Sequence, residues 1–266
     1  MGALLARGMV SGFLAACLAV LVAVWFGEPQ ITKAIQFEEL HAHGGPSHSH
    51  HHEGYGEEKM HTQPSPSEVS EEEPVSRGVQ KTLGLFVAVA VYGVAFGGVF
   101  SIGFALLYGR FFGNALSVRM VSLLLGMAGF LVFVLVPGLK YPANPPAVGL
   151  AATIGIRTAS YFEMLLFSFC SAIFGGIFFL KLRQVLSSWN AAIAGGILYL
   201  ALVGVLQRVL PPMVEVPPDF SALVLWSFRI ASFAMQAVLW VGMGLIFGAM
   251  AEKYMATHYH ALPKQT

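Results

Sequence analysis

Charge is scarce in this sequence. Only 11% of its 266 residues are Asp, Glu, Lys or Arg, against roughly a quarter in soluble globular chains, which excludes water as the main solvent of the fold. Neither sign dominates: 15 basic and 14 acidic residues leave a formal net charge of +1. Nucleic acid is thereby excluded as a partner, because a phosphate-binding surface needs a basic excess. Cysteine is nearly absent. Cys17 and Cys170 both lie in apolar runs, so neither a disulfide framework nor a CxxC site can be built. Histidine is missing from every apolar stretch. That argues against a membrane b-type haem, which needs axial imidazoles between helices, and against an intramembrane Ser/His hydrolase. No GxxxxGK(S/T) phosphate loop occurs, so ATP hydrolysis by that means is excluded. No enzyme activity is expected.

What fills the chain instead is apolar sequence. Six uninterrupted stretches run approximately over 9–26, 83–109, 121–139, 160–180, 191–210 and 223–250, each near the ~20 residues that cross a hydrocarbon core about 30 Å thick. Cations flank them (Arg7, Lys81, Arg110, Arg119, Lys140, Arg157, Lys181, Arg183, Arg208, Lys253), and Trp25, Tyr108, Tyr141, Trp189, Trp226 and Tyr254 sit near their ends, as interfacial aromatics do. Backbone amides find no water in lipid, so the stretches must be helical. Their continuous apolar character also excludes a barrel, whose strands alternate. The expected fold is all-α: a polytopic transmembrane bundle of about six spanning helices with one long His-rich external loop. The divisions expected are a first helix (1–26), a His/Glu-rich external loop (27–82), a five-helix membrane bundle (83–250) and a cytoplasmic tail (251–266). The first stretch, with Arg7 before it, has the form of a signal peptide. No small-x-small cleavage site follows it, so it is read as a retained anchor.

Short loops carrying Lys and Arg face the cytoplasm. Arg7, the 110–119 loop, Lys181/Arg183 and the tail with Lys253 and Lys264 therefore predict N-in, C-in, opposed only by Lys140 and Arg157. The 27–82 segment and the connection with Glu215 and Asp219 fall outside. Residues 44–74, rich in His, Glu, Ser, Pro and Gly, cannot bury enough apolar surface to offset chain entropy and are expected to be disordered. Within the helices, Gly93/Gly97, Ser171/Gly175 and Gly244/Gly248 have the small-xxx-small spacing of close helix packing in lipid.

Seven of the nine histidines lie in the first loop: His41, His43, His48, His50, His51, His52 and His61, with Glu38, Glu39, Glu53, Glu57 and Glu58 among or beside them. Imidazole is the commonest ligand for borderline transition metals, and carboxylates complete a mixed shell. A flexible segment of this kind captures a divalent cation exchangeably and releases protons as it does so. It takes copper, nickel and zinc at least as readily as cobalt; the alternative is a merely polar linker. His258 and His260, past the last stretch, are placed to receive an ion leaving the membrane or form only an interfacial tail.

Charges inside the membrane are costly and mark function by default. Glu163 and Arg229 fall at similar depth in the outer third; they are expected to pair, or else each snorkels to the interface. Gln236 lies two turns below Arg229. Between the third and fourth stretches, Pro137, Pro142, Pro145 and Pro146 lie within ten residues and forbid a helix, fixing a rigid extended path. Its free carbonyls and the Asn144 amide can line a polar entrance or merely belong to a stiff connector. The candidate pathway is thus Asn144, Glu163, Arg229, Gln236, His258 and His260.

The segment LKYPANPPAVG (139–149) followed by TIGIRT (153–158) resembles the signature of the CbtA family, proposed bacterial cobalt transporter subunits. So do the His-rich acidic loop after the first helix, SRGVQKTL (76–83), FRIAS (228–232) with QAVLW (236–240), and GAMAEK (248–253). The likeness extends over essentially the whole chain. The family pattern carries an acid between PPAVG and TI, where this chain has Leu150-Ala151-Ala152. The resemblance implies uptake of cobalt for cobalamin synthesis at the bacterial inner membrane, with a small single-span, His-containing partner subunit; nickel and zinc are alternative cargo by ligand chemistry, and an oligomer is a further alternative. No permanently bound cofactor is implied. The competing reading is a membrane-anchored metal sensor, store or chaperone that does not translocate.

Overall fold

The computed structural model describes residues 2–43, 77–111, 116–213 and 215–259. The expected disordered stretch and His48, His50, His51, His52, His61 and His260 lie outside the described residues. Among the described residues there is no strand. Six helical segments are long and apolar enough to cross a membrane: Gly2–His41, Lys81–Leu107, Val118–Lys140, Ala151–Leu182, Ser188–Val209 and Ala222–Thr257. The chain is an all-α, multi-pass membrane protein.

The helices are α1 (Gly2–Val22), α2 (Glu28–His43), α3 (Arg77–Val79), α4 (Leu85–Leu107), α5 (Val118–Phe130), α6 (Val136–Lys140), α7 (Ile154–Leu182), α8 (Ser188–Val209) and α9 (Ala222–Tyr259). The first helical path does not stop at Phe26, as apolarity alone predicts, but continues through α2. Pro29 should break it, because its ring opposes the carbonyl four residues back. A π-helical turn over Ala23–Gly27 precedes the proline, and the Glu28 N–H bonds five residues back to Ala23 O. The extra residue in that turn accommodates the proline without ending the helix. The same device recurs at Leu131–Leu135, where the Val136 N–H bonds Leu131 O just before Pro137. Helix therefore persists to Lys140, and only the later prolines hold the chain extended.

Glycine sets the closest contacts. Helices α1 and α4 cross at Gly8, Gly12, Gly93 and Gly97, so tightly that a Cβ on Gly12 would collide with the Gly93 carbonyl. Helices α5 and α9 approach likewise: a Cβ on Gly244 would stand 2.8 Å from Ser122 O, and one on Gly248 3.1 Å from Arg119 Cα. Around these crossings lies the main core, built on Ala15, Ala16, Phe100, Phe104, Leu239, Trp240, Met243 and Phe247. Helices α7 and α8 form a hairpin whose own contact is Gly175 against Gly195. Of the three small-residue pairs read from the sequence, Gly93/Gly97 and Gly244/Gly248 lie at helix crossings, as does Gly175 of the third.

The hairpin joins the bundle through hydrogen bonds that serve the irregular α5–α6 backbone. Ser168 Oγ donates to Val132 O at 2.8 Å and lies 3.2 Å from Tyr199 Oη. Gln207 Nε2 donates to Val136 O at 3.2 Å, and Lys140 Nζ to Gln207 O at 2.7 Å. In lipid such carbonyls have no water to turn to.

The two ends of the bundle are distinct. At one, the Arg7 guanidinium lies 4.1 Å from the Tyr254 ring centre, Arg119 pairs with Glu252 at 2.6 Å, and Arg183 donates to the Phe111 carbonyl. At the other, Ala34 of α2 packs with Val148, Phe220 and Leu225, and Tyr141 Oη donates to Pro211 O at 2.8 Å.

Candidate functional site

A cavity of about 550 Å³ opens at this second end, between the 141–148 segment, α4, α7 and α9. Its position follows from the proline segment. Tyr141 leaves helical geometry, and Pro142, Pro145 and Pro146 keep the chain from re-entering it. The backbone then turns: Val148 N–H bonds Pro145 O at 3.3 Å, and Ala147 and Gly149 have φ of 65° and 110°. Gly149 is required twice over, since positive φ disfavours a side chain and a Cβ there would strike the Arg157 guanidinium.

Arg157 is held in that place by a carboxylate from elsewhere in the chain. Glu215 Oε2 accepts from Thr153 Oγ1 at 2.7 Å and from Leu150 N–H at 3.0 Å, with Arg157 Nε at 3.3 Å. Arg157 Nη2 donates in turn to Leu150 O at 3.1 Å. The Leu150 N–H and then Thr153 hold the Glu215 carboxyl below its ordinary range; desolvation opposes them, and the Arg157 charge adds the smallest lowering effect. The Leu150 N–H and Thr153, just ahead of α7, thus bind a carboxylate supplied by the α8–α9 connection. Sequence reasoning placed Glu215 merely outside the membrane.

Arg229 and Gln236 line the cavity with Ser232, at a spacing of three, then four residues on one face of α9. Asn144 faces them: Arg229 Nη2 donates to Asn144 Oδ1 at 2.9 Å, and Arg229 Nε to Ala143 O at 3.4 Å. Tyr92 and Tyr161 add hydroxyls to the wall. The expected pairing of Glu163 with Arg229 does not form. Glu163 is exposed on α7 and is not among the cavity walls. Sequence spacing gave the two similar depth but not their angle about the bundle, and the nearer Asn144 takes the guanidinium.

Asn144, Arg229 and Gln236 therefore come together; the rest of the candidate set does not join them. His258 is 29 residues beyond Arg229 on α9, roughly 44 Å away at 1.5 Å per residue. His41 and His43 close α2. Tyr92, Arg157, Tyr161 and Ser232 were not among the candidate site residues of the sequence; Arg157 was read only as a flanking cation and within TIGIRT, Ser232 only within FRIAS, and Tyr92 and Tyr161 carried no signal. Amide, hydroxyl and guanidinium groups supply the cavity's polar surface, with no carboxylate or imidazole among the described walls. Among the described residues no three His, Cys, Asp or Glu side chains gather to hold a metal.

No curated protein and no solved structure matches this chain. A family model described as probable cobalt transporter subunit (CbtA) matches residues 1–252. A subunit implies a partner protein, and cobalt is the ion the description names. With nearly the whole chain matched and six spanning helices in place, the protein belongs to the CbtA family of probable cobalt transporter subunits.

Proposed function

We propose that this protein is the membrane subunit of a cobalt uptake system, with metal captured by the His-rich segment and delivered to the cavity beside it. The observation that carries the reading is the placement of His41. Helix α2 lies against the cavity rim: Ala34 packs with Val148, a cavity wall, and the Phe37 ring sits 5.0 Å from Phe220 and 4.0 Å from His41. His41 Nδ1 is 2.8 Å from Phe37 O. A carbonyl only accepts, so Nδ1 carries the proton of this bond, and in the neutral ring the lone pair lies on Nε2, open to a metal on the exposed side. That is the arrangement by which backbone carbonyls orient metal-ligating imidazoles. The histidines from His43 to His61 follow directly in the chain, and in this reading cations captured by that segment pass by way of His41 to the cavity.

In this reading the cavity end faces the periplasm or exterior, the chain is N-in and C-in in a bacterial inner membrane, and ions leave toward His258 and His260. A negative-inside potential favours inward movement of a dication by roughly 4.6 kcal/mol per 100 mV, twice the value for one charge. Glu163, exposed within a membrane helix where a bare carboxylate is costly, is proposed to face the partner subunit, and the cobalt to serve cobalamin synthesis.

The test is radioactive cobalt uptake by cells or proteoliposomes containing the chain and its partner, with nickel in parallel, for the intact chain and for one lacking residues 38–61. Uptake that prefers cobalt and falls on deletion at limiting metal supports the reading. Cobalt bound by the membranes without reaching the interior would make the protein a store or sensor.

A further inference from the structure

The cavity carries a charge that a cation pathway does not explain. Arg157 is balanced by Glu215, but among the described residues Arg229 has no carboxylate partner; its contacts are two oxygens of neutral groups, Asn144 Oδ1 and Ala143 O. A guanidinium has five N–H donors, so most of its donating capacity remains for something in the cavity. Two turns along the same helix, Gln236 lines the cavity while its Oε1 is turned away from it, buried with no hydrogen-bond partner; rotation of the terminal amide brings that acceptor to a ligand donor and relieves a costly condition. Arg229 and Gln236 are seven residues apart, about 10 Å along α9.

We propose that the cavity binds a small organic anion, its carboxylate on the Arg229 guanidinium and a hydroxyl or N–H donor on Gln236 Oε1. A carboxylate matches the guanidinium fork and forms short, charge-assisted bonds with it. The aromatic walls, Tyr92, Phe133, Tyr161 and Phe233, lower the local dielectric and strengthen that attraction, and the same lowering strengthens the repulsion of an uncovered dication by the Arg229 charge. A volume of about 550 Å³ far exceeds the roughly 30 Å³ share of one water and falls in the range of small-molecule sites. Hydroxycarboxylates and amino acids have the required pair of groups, and both also chelate divalent cobalt. The ligand arrives either free or as the shell of a metal ion.

Purified full-length chain in lipid nanodiscs, without cobalt, is titrated calorimetrically with citrate, with tricarballylate (the same three carboxylates without the hydroxyl) and with chloride. Cobalt alone and cobalt–citrate form two further arms. Saturable citrate binding is expected, tighter than tricarballylate and far tighter than chloride. Arg229→Gln should weaken citrate at least tenfold and Arg229→Lys less so, with thermal unfolding confirming that both variants fold. Gln236→Leu should abolish the preference for citrate over tricarballylate. A cobalt–citrate arm tighter than citrate identifies the chelate as the form taken; equal affinities identify the free acid. No saturable citrate binding, binding indifferent to Arg229→Gln, or chloride bound as tightly as citrate overturns the proposal. The measurement contains no transport step, so its failure leaves the uptake reading standing, and the converse also holds.

Discussion

Glu215 Oε2 stands 3.3 Å from Arg157 Nε while accepting from Thr153 Oγ1 and the Leu150 N–H. One carboxylate oxygen thereby joins the α8–α9 connection to the first turn of α7 and fixes the rim of the cavity. The side chains are only 25% and 16% exposed, so this contact is better shielded than the surface pair Arg119–Glu252, at 67% and 38%. Exposed pairs of the latter kind contribute at most about 1 kcal/mol.

Because hydrogen bonds and the Arg157 charge hold the Glu215 carboxyl below its ordinary value of 4.5, its contribution to stability has a definite sign with pH. Folding favours the ionised form, so the contribution is complete above 4.5 and is lost as pH falls below it toward the lower folded value. The intact protein should lose thermal stability on acidification through that range more steeply than Glu215→Gln. At pH 7 the variant should melt lower than the intact chain. Equal melting temperatures at pH 7, or parallel acid profiles, would show that the carboxylate does not hold the rim.

Gly149 tests the other side of the same contact. An alanine there meets both a φ of 110° and the Arg157 guanidinium, so Gly149→Ala should destabilise by about 1–3 kcal/mol, the usual range for backbone strain and overpacking. Gly196→Ala is the control: nothing lies within 4 Å of its Cβ position on α8, and helix propensity predicts a neutral or slightly stabilising change of up to about 1 kcal/mol. Unfolding in mixed micelles measures both.

Much of the fold was legible in the sequence because lipid imposes so simple a rule. An apolar run of sufficient length must be helical, and small residues at a spacing of four mark where helices touch, as Gly93/Gly97 and Gly244/Gly248 do. The continuation through α2 was not legible from apolarity, because Pro29 is overcome by a π-helical turn that no composition signals. Of the site, Arg229 and Gln236 were found as polar exceptions in an apolar stretch, and Asn144 as the amide of the proline-rich connection. Glu215 and Tyr92 were not, since one lies in a polar connection and the other among aromatics typical of membrane helices. The Glu163–Arg229 expectation failed for a geometric reason: two charges at one depth still need the same bearing around the bundle.

The α7–α8 hairpin should depend measurably on Ser168. Its hydroxyl is fully buried and serves both Val132 O and Tyr199 Oη, at 2.8 and 3.2 Å. Interhelical hydrogen bonds in membranes average about 0.6 kcal/mol and reach about 1.7. Ser168→Ala should fall at the upper end, because it strands a carbonyl of the irregular α5–α6 backbone. Tyr199→Phe should cost less, and the double variant less than the sum, since the two share one network. Strict additivity would show that Ser168 serves Val132 alone.

Metal capture can be separated from transport by its competition with protons. Imidazole binds metal only when neutral, so each cation captured by the 38–61 segment displaces protons. At low micromolar cobalt, uptake into cells should fall as external pH is lowered from 7.5 to 5.5, crossing the ordinary histidine range near 6.5. The chain lacking residues 38–61 should show a flatter profile and, at pH 7.5, uptake reduced on the order of tenfold, equivalent to ~1.4 kcal/mol. Raising cobalt to millimolar levels should restore uptake by the deleted form, because a segment that only concentrates the ion becomes dispensable when the ion is abundant. If the deleted form stays inactive at high cobalt, these residues belong to the passage itself. If the two forms share one pH profile, the histidines do not capture the cargo.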